Sequence, residues 1–417
     1  MARSRVGDRF RPLARRSREV LGLAAVVGAL TGFGVVAFER GVDVGLDALR
    51  TAPLWVAVTV PTLGLAITHL ALHFGRTSPA TSDEYIRTYH DGDKVLPARP
   101  FPAKLVGALA TLGTGGAMGL EGTSIYMGAT IGSVATTRLR RLLTGNHAKV
   151  LMVAGAAAGV AAIFKAPATG AVFAIEVPYR DDLGRRLLLP ALVGAATGYL
   201  AFVLVDGTAR LFPVEGSPSF DWRDLGGALA VGLAAGIVAR SFAWLLIRAK
   251  DAAARLRPWQ AVLGGGAVFA GLALVCNQAT GEPLTLGPGY EAIRWARDPK
   301  LGVAVLLLVL VLRCLATTTS LGAGGVGGLF IPLVVAGALL GRALGGVFSA
   351  LDTELFTVIG IAAVLGAGYR VPLAAVMFVA ETTGQPGFVV PGILAAVVAE
   401  LLMGNKSATR YQQDASA

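Results

Sequence analysis

Glu121 is the residue in this chain best placed to do chemistry. It stands in Gly119-Leu120-Glu121-Gly122-Thr123-Ser124, after the glycine-rich approach LGTGGAMG and at the start of an apolar stretch. A carboxylate at a helix start faces unpaired N–H groups and the positive end of the helix dipole. Such an end binds anions, and a carboxylate on a glycine-flanked turn can take the place an anion would occupy. The chemistry this suggests is anion binding, with the carboxylate able to compete for the anion's place. In a soluble helix the Glu would merely complement the dipole; in an apolar chain it is a functional candidate.

A second glycine-rich turn, Gly324-Gly325-Val326-Gly327-Gly328-Leu329-Phe330-Ile331-Pro332, opens another apolar segment. Glycine lets the backbone turn and expose its amides. Leu329 and Phe330 can then offer N–H groups while their side chains form an apolar wall. The two turns belong to a repeat. GLEGTSIYMGATIGSV at 119–134 and VAGAAAGVAAIFKAPATGAVFAIE at 153–176 return 205 positions on, as GGVGGLFIPLVVAGAL and VIGIAAVLGAGYRVPLAAVMFVAE. Read without a gap, this offset pairs Gly122 with Gly327, Gly155 with Gly360, Phe164 with Tyr369, Pro167 with Pro372 and Glu176 with Glu381 (381 − 176 = 205). Two matching halves, each with a broken apolar segment, suggest a transporter or channel whose site lies where broken helices meet near mid-membrane.

Composition sets the environment. The 417 residues are 54% hydrophobic and 15% charged, with mean hydropathy +0.65, whereas a soluble protein carries about 25% charged residues. Apolar runs at 20–37, 54–72, 187–205, 226–247, 260–276, 301–315 and 388–403 compare with the ~20 residues of one crossing. The chain is therefore expected to be an all-α polytopic membrane protein. Shorter segments at 82–90, 122–136 and 357–365 must be shielded by other helices, because lipid cannot satisfy open backbone groups. The expected organisation is a basic N-terminal helix (1–19), a first membrane repeat (20–205), a linker (206–222), a second repeat (223–404) and a tail (405–417). The net charge of +11 is concentrated at Arg3, Arg5, Arg9, Arg11, Arg15, Arg16 and Arg18, directly before the first apolar run. That arrangement points to a cytoplasmic N-terminus at the lipid interface, not to nucleic acid. Cys276 and Cys314 lie in apolar segments and read as packing residues.

With these residues in view, the chain resembles the voltage-gated chloride channel (CLC) family of chloride channels and chloride/proton exchangers, here without cytoplasmic regulatory domains. GLEGTS resembles the family's Gly-Arg-Glu-Gly-Pro element and GGLFIP its Gly-Ile-Phe-Ala-Pro element. AGAAAGVAAIFKAPATGAVFAIEV resembles the helix pair that follows the first. The resemblance covers roughly 20–412. It implies two inverted repeats with broken and half-spanning helices, a homodimer with one pore per subunit in the plasma membrane, and no cofactor. It also implies that Glu121 is the gating glutamate, with chloride or another small anion held by backbone amides around Gly122, Thr123, Gly328, Leu329, Phe330 and Ile331.

The chain departs from the family pattern in places. Leu120 stands for the usual Arg and Thr123 for the usual Pro. The family's Gly-Ser-Gly-Ile-Pro element, whose Ser hydroxyl binds the central anion, aligns with Pro79-Ala80-Thr81-Ser82-Asp83, so that Ala80 takes the Ser position and Thr81 or Ser82 becomes the substitute. A C-terminal Tyr that often serves the same site aligns with Thr409 in preference to Tyr411. The exchangers' internal proton glutamate falls at Val177, which has no proton to give; this favours a passive channel over a proton-coupled exchanger. Burial disfavours a charge on Glu121 while helix dipoles favour it, and its protonation would free the anion path.

Other readings remain at this point. Thr123 and the missing central Ser suggest a fluoride exporter of the same fold. Ser124, with His69 or His73 as base, would make an intramembrane serine hydrolase, although the chain lacks the Gly-x-Ser-x-Gly turn such a nucleophile uses. His69 and His73 have no obvious third ligand for a metal and mark a helix end near the interface. Lys165 and Arg370 either draw anions toward a vestibule or snorkel. Glu176 and Glu381, at helix ends, read as structural.

Overall fold

A computed structural model describes residues 18–91, 94–139, 148–214, 221–347 and 354–414 in full, and the backbone alone of residues 3–17, 348 and 353. The first half runs α1 (Arg3–Thr51), α2 (Leu54–Gly75), α3 (Ser82–His90), α4 (Phe101–Gly113), α5 (Glu121–Arg138), α6 (Ala148–Phe164), α7 (Pro167–Glu176) and α8 (Leu188–Asp206). The second half repeats the order as α9 (Trp222–Ala253), α10 (Pro258–Thr280), α11 (Tyr290–Trp295), α12 (Val303–Gly322), α13 (Phe330–Phe348), α14 (Thr353–Tyr369), α15 (Pro372–Thr383) and α16 (Val389–Met403). Eight of the described helices are long and apolar enough to cross a membrane. They include α13, the apolar segment that the second glycine-rich turn opens. The backbone of residues 3–17 continues into α1 as one helix, while the basic side chains before Arg18 lie outside the described residues. Part of the expected linker, 215–220, also lies outside them.

Helices α4, α6, α7, α14 and α15 are short, and they are stopped by identifiable turns. Lys165 and Arg370 end α6 and α14 with φ of 52° and 54°, the left-handed conformation that closes a helix. Pro167 and Pro372 then start α7 and α15 at the position where a missing N–H costs nothing. The two cations are held by the protein: Lys165 pairs with Asp206 at 2.8 Å and Arg370 with Glu400 at 3.5 Å. Arg370 also donates to the carbonyls of Arg180 and Gly404. Neither is a free charge awaiting an anion.

The halves interlock through reciprocal bonds. Gly119 N–H donates to the Gly328 carbonyl at 2.9 Å, and Gly328 N–H to the Gly119 carbonyl at 2.7 Å. Ala117 N–H bonds the Ser320 hydroxyl and Val326 N–H the Thr111 hydroxyl. Gly115 and Gly324, with φ of 91° and 87°, make the same turn in each half. These pairs correct the gapless register. Around the glycine turns the structural offset is 209 (330 − 121 = 209; 324 − 115 = 209), and it returns to 205 at α6 and α14. The stretch from the start of α5 to the start of α6 is four residues longer than its counterpart (27 against 23). Gly119 therefore matches Gly328, and Glu121 matches Phe330. Within each half, backbones cross in contact. A Cβ at Gly128 would strike the Gly155 carbonyl and one at Gly337 the Gly360 carbonyl, the close approach that small residues allow between helices in lipid.

Candidate functional site

The two glycine turns bring the first turns of α5 and α13 together. In α5 the first intrahelical bond runs from Ser124 N–H to the Leu120 carbonyl; in α13 it runs from Leu333 N–H to the Leu329 carbonyl. The amides before them have no helical partner, and Pro332 in the first turn of α13 removes none that is needed. Glu121 fills this space. It is fully buried, and its Oε1 accepts the Phe330 N–H at 2.6 Å; the Ile331 amide also bears on the carboxylate. Its other oxygen, Oε2, has no hydrogen-bond partner among the described residues. Glycine shapes the cradle: a Cβ at Gly119 or Gly328 would collide with the carboxylate, and one at Gly122 would meet Thr81 Oγ1 at 2.6 Å and the Gly327 backbone at 2.9 Å.

Cavities open on two sides of Glu121, and its side chain lines neither. One, of about 380 Å³, is walled by Thr81, Ser82, Gly327, Gly328, Leu329, Tyr369, Thr409 and Tyr411, with Arg87, Lys250 and Arg410 toward its polar end. The other, of about 530 Å³, is walled by Gly115, Leu120 and Tyr290 and carries Glu39, Asp43, Glu282 and Glu291 against Arg50. The buried carboxylate stands where a path joining the two would run.

The structure places the remaining candidates unequally. Thr81 Oγ1 donates weakly to the Gly327 carbonyl at 3.4 Å. Ser82 and Thr409 line the first cavity, and Thr409 Oγ1 is buried without a partner. Tyr411 is 42% exposed, at the cavity rim. Thr123 Oγ1 is buried in the first turn of α5, also without a partner. Val177 is buried at the end of α7; its carbonyl accepts Gln412 Nε2 at 3.0 Å, and it lines neither cavity. Ser124 Oγ donates to the Leu120 carbonyl at 3.1 Å. His69 and His73 line a separate cavity with Arg76 and Ala323, so the serine and its supposed base do not meet. Sequence reasoning missed one residue: the Tyr369 hydroxyl accepts the Leu329 N–H at 3.3 Å and reaches the first turn of α13. Its only trace in the sequence was its pairing with Phe164.

Two further carboxylates occupy helix starts in a different manner. Glu176 accepts the amides of Leu373 and Ala374 at 3.0 and 2.7 Å, one on each oxygen. Glu381 accepts those of Ala168 and Thr169 at 2.9 and 2.7 Å, together with the Thr169 hydroxyl at 2.7 Å. Each half thus caps the other's short helix, a charge-assisted arrangement with both oxygens used.

The family model described as voltage gated chloride channel matches residues 63–404. The chain belongs to the voltage gated chloride channel family. Among curated members, the H(+)/Cl(-) exchange transporter ClcA of Citrobacter koseri is 30% identical over 439 residues, spanning 97% of this chain and 91% of that protein. Among solved structures of the family, a CLC-type fluoride/proton antiporter superposes with a TM-score of 0.84 at 24% identity, over 95% of this chain and 98% of that one. A slow cyanobacterial Cl-/H+ antiporter superposes with a TM-score of 0.82 at 23% identity, over 93% and 96%. Members of the family are transporters.

Proposed function

We propose that the protein moves chloride, or an anion of similar size, across the bilayer along a path through the two cavities, with Glu121 as its gate. The observation that carries this reading is the Glu121 carboxylate oxygen 2.6 Å from the Phe330 amide. A carboxylate that accepts this amide holds the position a halide would take at the start of α13. The amides of Gly122 and Thr123 on α5, and of Gly328, Leu329, Phe330 and Ile331 on α13, supply the coordination. When Glu121 takes up a proton it loses the charge that holds it to the helix start, the amides come free, and an anion replaces it. Transport then rises as pH falls.

Val177, in place of a second carboxyl on the way to Glu121, supports passive conduction over obligatory exchange. A proton-coupled reading is favoured by a different observation, the exchanger ClcA at 30% identity. Thr123 at the helix start keeps fluoride as the alternative anion. The setting is the cell membrane, with the N-terminus cytoplasmic and two copies of the chain paired as a homodimer.

Chloride flux from liposomes under paired chloride and proton gradients tests the proposal. Flux that rises with acidity in the wild type and loses that response in Glu121→Gln supports the gate; identical pH profiles would remove it. A reversal potential that follows the proton gradient would replace the channel by an exchanger, and the same vesicles loaded with fluoride decide between the anions.

A further inference from the structure

The cavity walled by Thr81, Ser82 and Thr409 lacks the serine and tyrosine hydroxyls expected at the positions of Ala80 and Thr409, yet it is not without a rigid side-chain donor. Tyr369 ends α14, is 2% exposed and lines this cavity. Its oxygen lies at the Leu329 amide, 3.3 Å away, one residue before the amide that Glu121 holds. In that bond the hydroxyl oxygen is the acceptor, so its own O–H proton points elsewhere. The Ser82 hydroxyl is close enough to bear on the same oxygen, and the buried Thr409 Oγ1, also without a partner, lines the same cavity.

The ring is fixed from several sides. It stands edge-on to Phe173, with centroids 5.7 Å apart at 89°. Its carbonyl accepts Gln412 Nε2 at 2.7 Å, and the left-handed Arg370 turns the chain directly after it. The repeat mate, Phe164, packs its ring on Phe330 with centroids 4.4 Å apart. The two halves therefore place an aromatic ring at equivalent points, and one of them adds a single oxygen, which reaches the cavity. A buried hydroxyl is costly unless something takes its proton.

We propose that Tyr369 is the side-chain donor to an anion held in this cavity at the α13 start, doing from α14 what the chain's C-terminal segment leaves undone. This rests on the anion-transport reading and assigns a specificity-determining residue within it. With an anion present, the Tyr369 O–H points at it while the hydroxyl oxygen keeps the Leu329 N–H, and the hydroxyl favours small, strongly hydrogen-bonding anions.

The test is chloride titration calorimetry on purified wild-type protein and Tyr369→Phe, with thermal unfolding of each and liposome flux of Glu121→Ala from the same preparation. The substitution keeps the ring and its packing and removes one oxygen. Loss of a hydrogen bond to a charged ligand predicts chloride binding weaker by about tenfold or more in Tyr369→Phe. If the hydroxyl only caps the Leu329 amide, its removal frees that amide, so unchanged or tighter chloride binding with a lowered unfolding temperature overturns the assignment. Failure of the transport reading looks different: Glu121→Ala vesicles would then release chloride with the wild-type pH profile.

Discussion

Glu121, Glu176 and Glu381 each place a carboxylate at a helix start, the first two buried and the third half-buried, and they do so in two ways. Glu176 and Glu381 use both oxygens, each taking two amides of a helix from the opposite half. Glu121 uses one oxygen on Phe330 and leaves the other without a partner among the described residues. The underlying physics is shared: a helix start offers unpaired N–H groups and a partial positive charge. The difference lies in symmetry. The caps are a matched pair related by the repeat, so each exchanges its bonds with a counterpart. At the glycine turns the counterpart of Glu121 is Phe330, so one carboxylate faces two helix starts and cannot satisfy all their amides. A fully bonded carboxylate is a fastener, whereas a half-bonded one can be displaced.

Substitutions can break this distinction. The largest effect is expected at the caps. Glu176→Ala or Glu381→Ala strands two amides where lipid and packed helices offer no water, at a cost of about 3 kcal/mol. Thermal unfolding in detergent should drop well below wild type, and Gln at either position should recover part of the loss through its one acceptor oxygen. Glu121→Ala should leave the unfolding temperature near wild type while abolishing the pH response of chloride flux. Equal destabilisation at all three sites would mean that Glu121 is a third fastener.

A subtler substitution acts on the cradle. In Gly328→Ala the new methyl collides with the Glu121 carboxylate and with the Gly122 backbone nitrogen, so the start of α5 must shift and the carboxylate must leave the Phe330 amide. Flux at neutral pH should rise toward its acidic value, a change smaller than that of Glu121→Ala because the carboxylate is displaced without being removed. Unchanged flux would mean that the carboxylate does not obstruct the path. The smallest effect is expected at Val177, which lines neither cavity. Val177→Glu should not by itself make chloride flux follow a proton gradient; a reversal potential that tracks the gradient in this variant would contradict that.

Much of this was legible in the sequence. The glycine turns, the apolar runs and the repeated Pro-and-Glu pattern announce a two-fold membrane protein, and Glu121 stands out because a carboxylate between glycines is expensive in such a chain. What escaped depends on contacts between distant segments. The gapless offset misaligned the glycine turns by four residues, because composition matches glycines without knowing which of them turn; the left-handed Gly115 and Gly324 fix that register. Helix α13 was marked as the apolar segment after the second glycine turn, but its full spanning length was not. Glu176 and Glu381 read as structural from their position at helix ends, but their exchange of partners spans about two hundred residues and leaves no local mark. Tyr369 was visible as the mate of Phe164 and nothing more, since its value lies in where the Lys/Arg-Pro turn and Gln412 hold its oxygen.

The central claim is that the Glu121 carboxylate occupies an anion's place at the start of α13. Crystals of Glu121→Ala soaked in bromide test it most directly, because anomalous scattering locates the ion without reference to any assigned role. The account predicts a bromide peak within hydrogen-bond reach of the Phe330 amide, at the position the carboxylate oxygen has vacated. Bromide found only elsewhere, in a variant whose vesicles still release chloride, would contradict it.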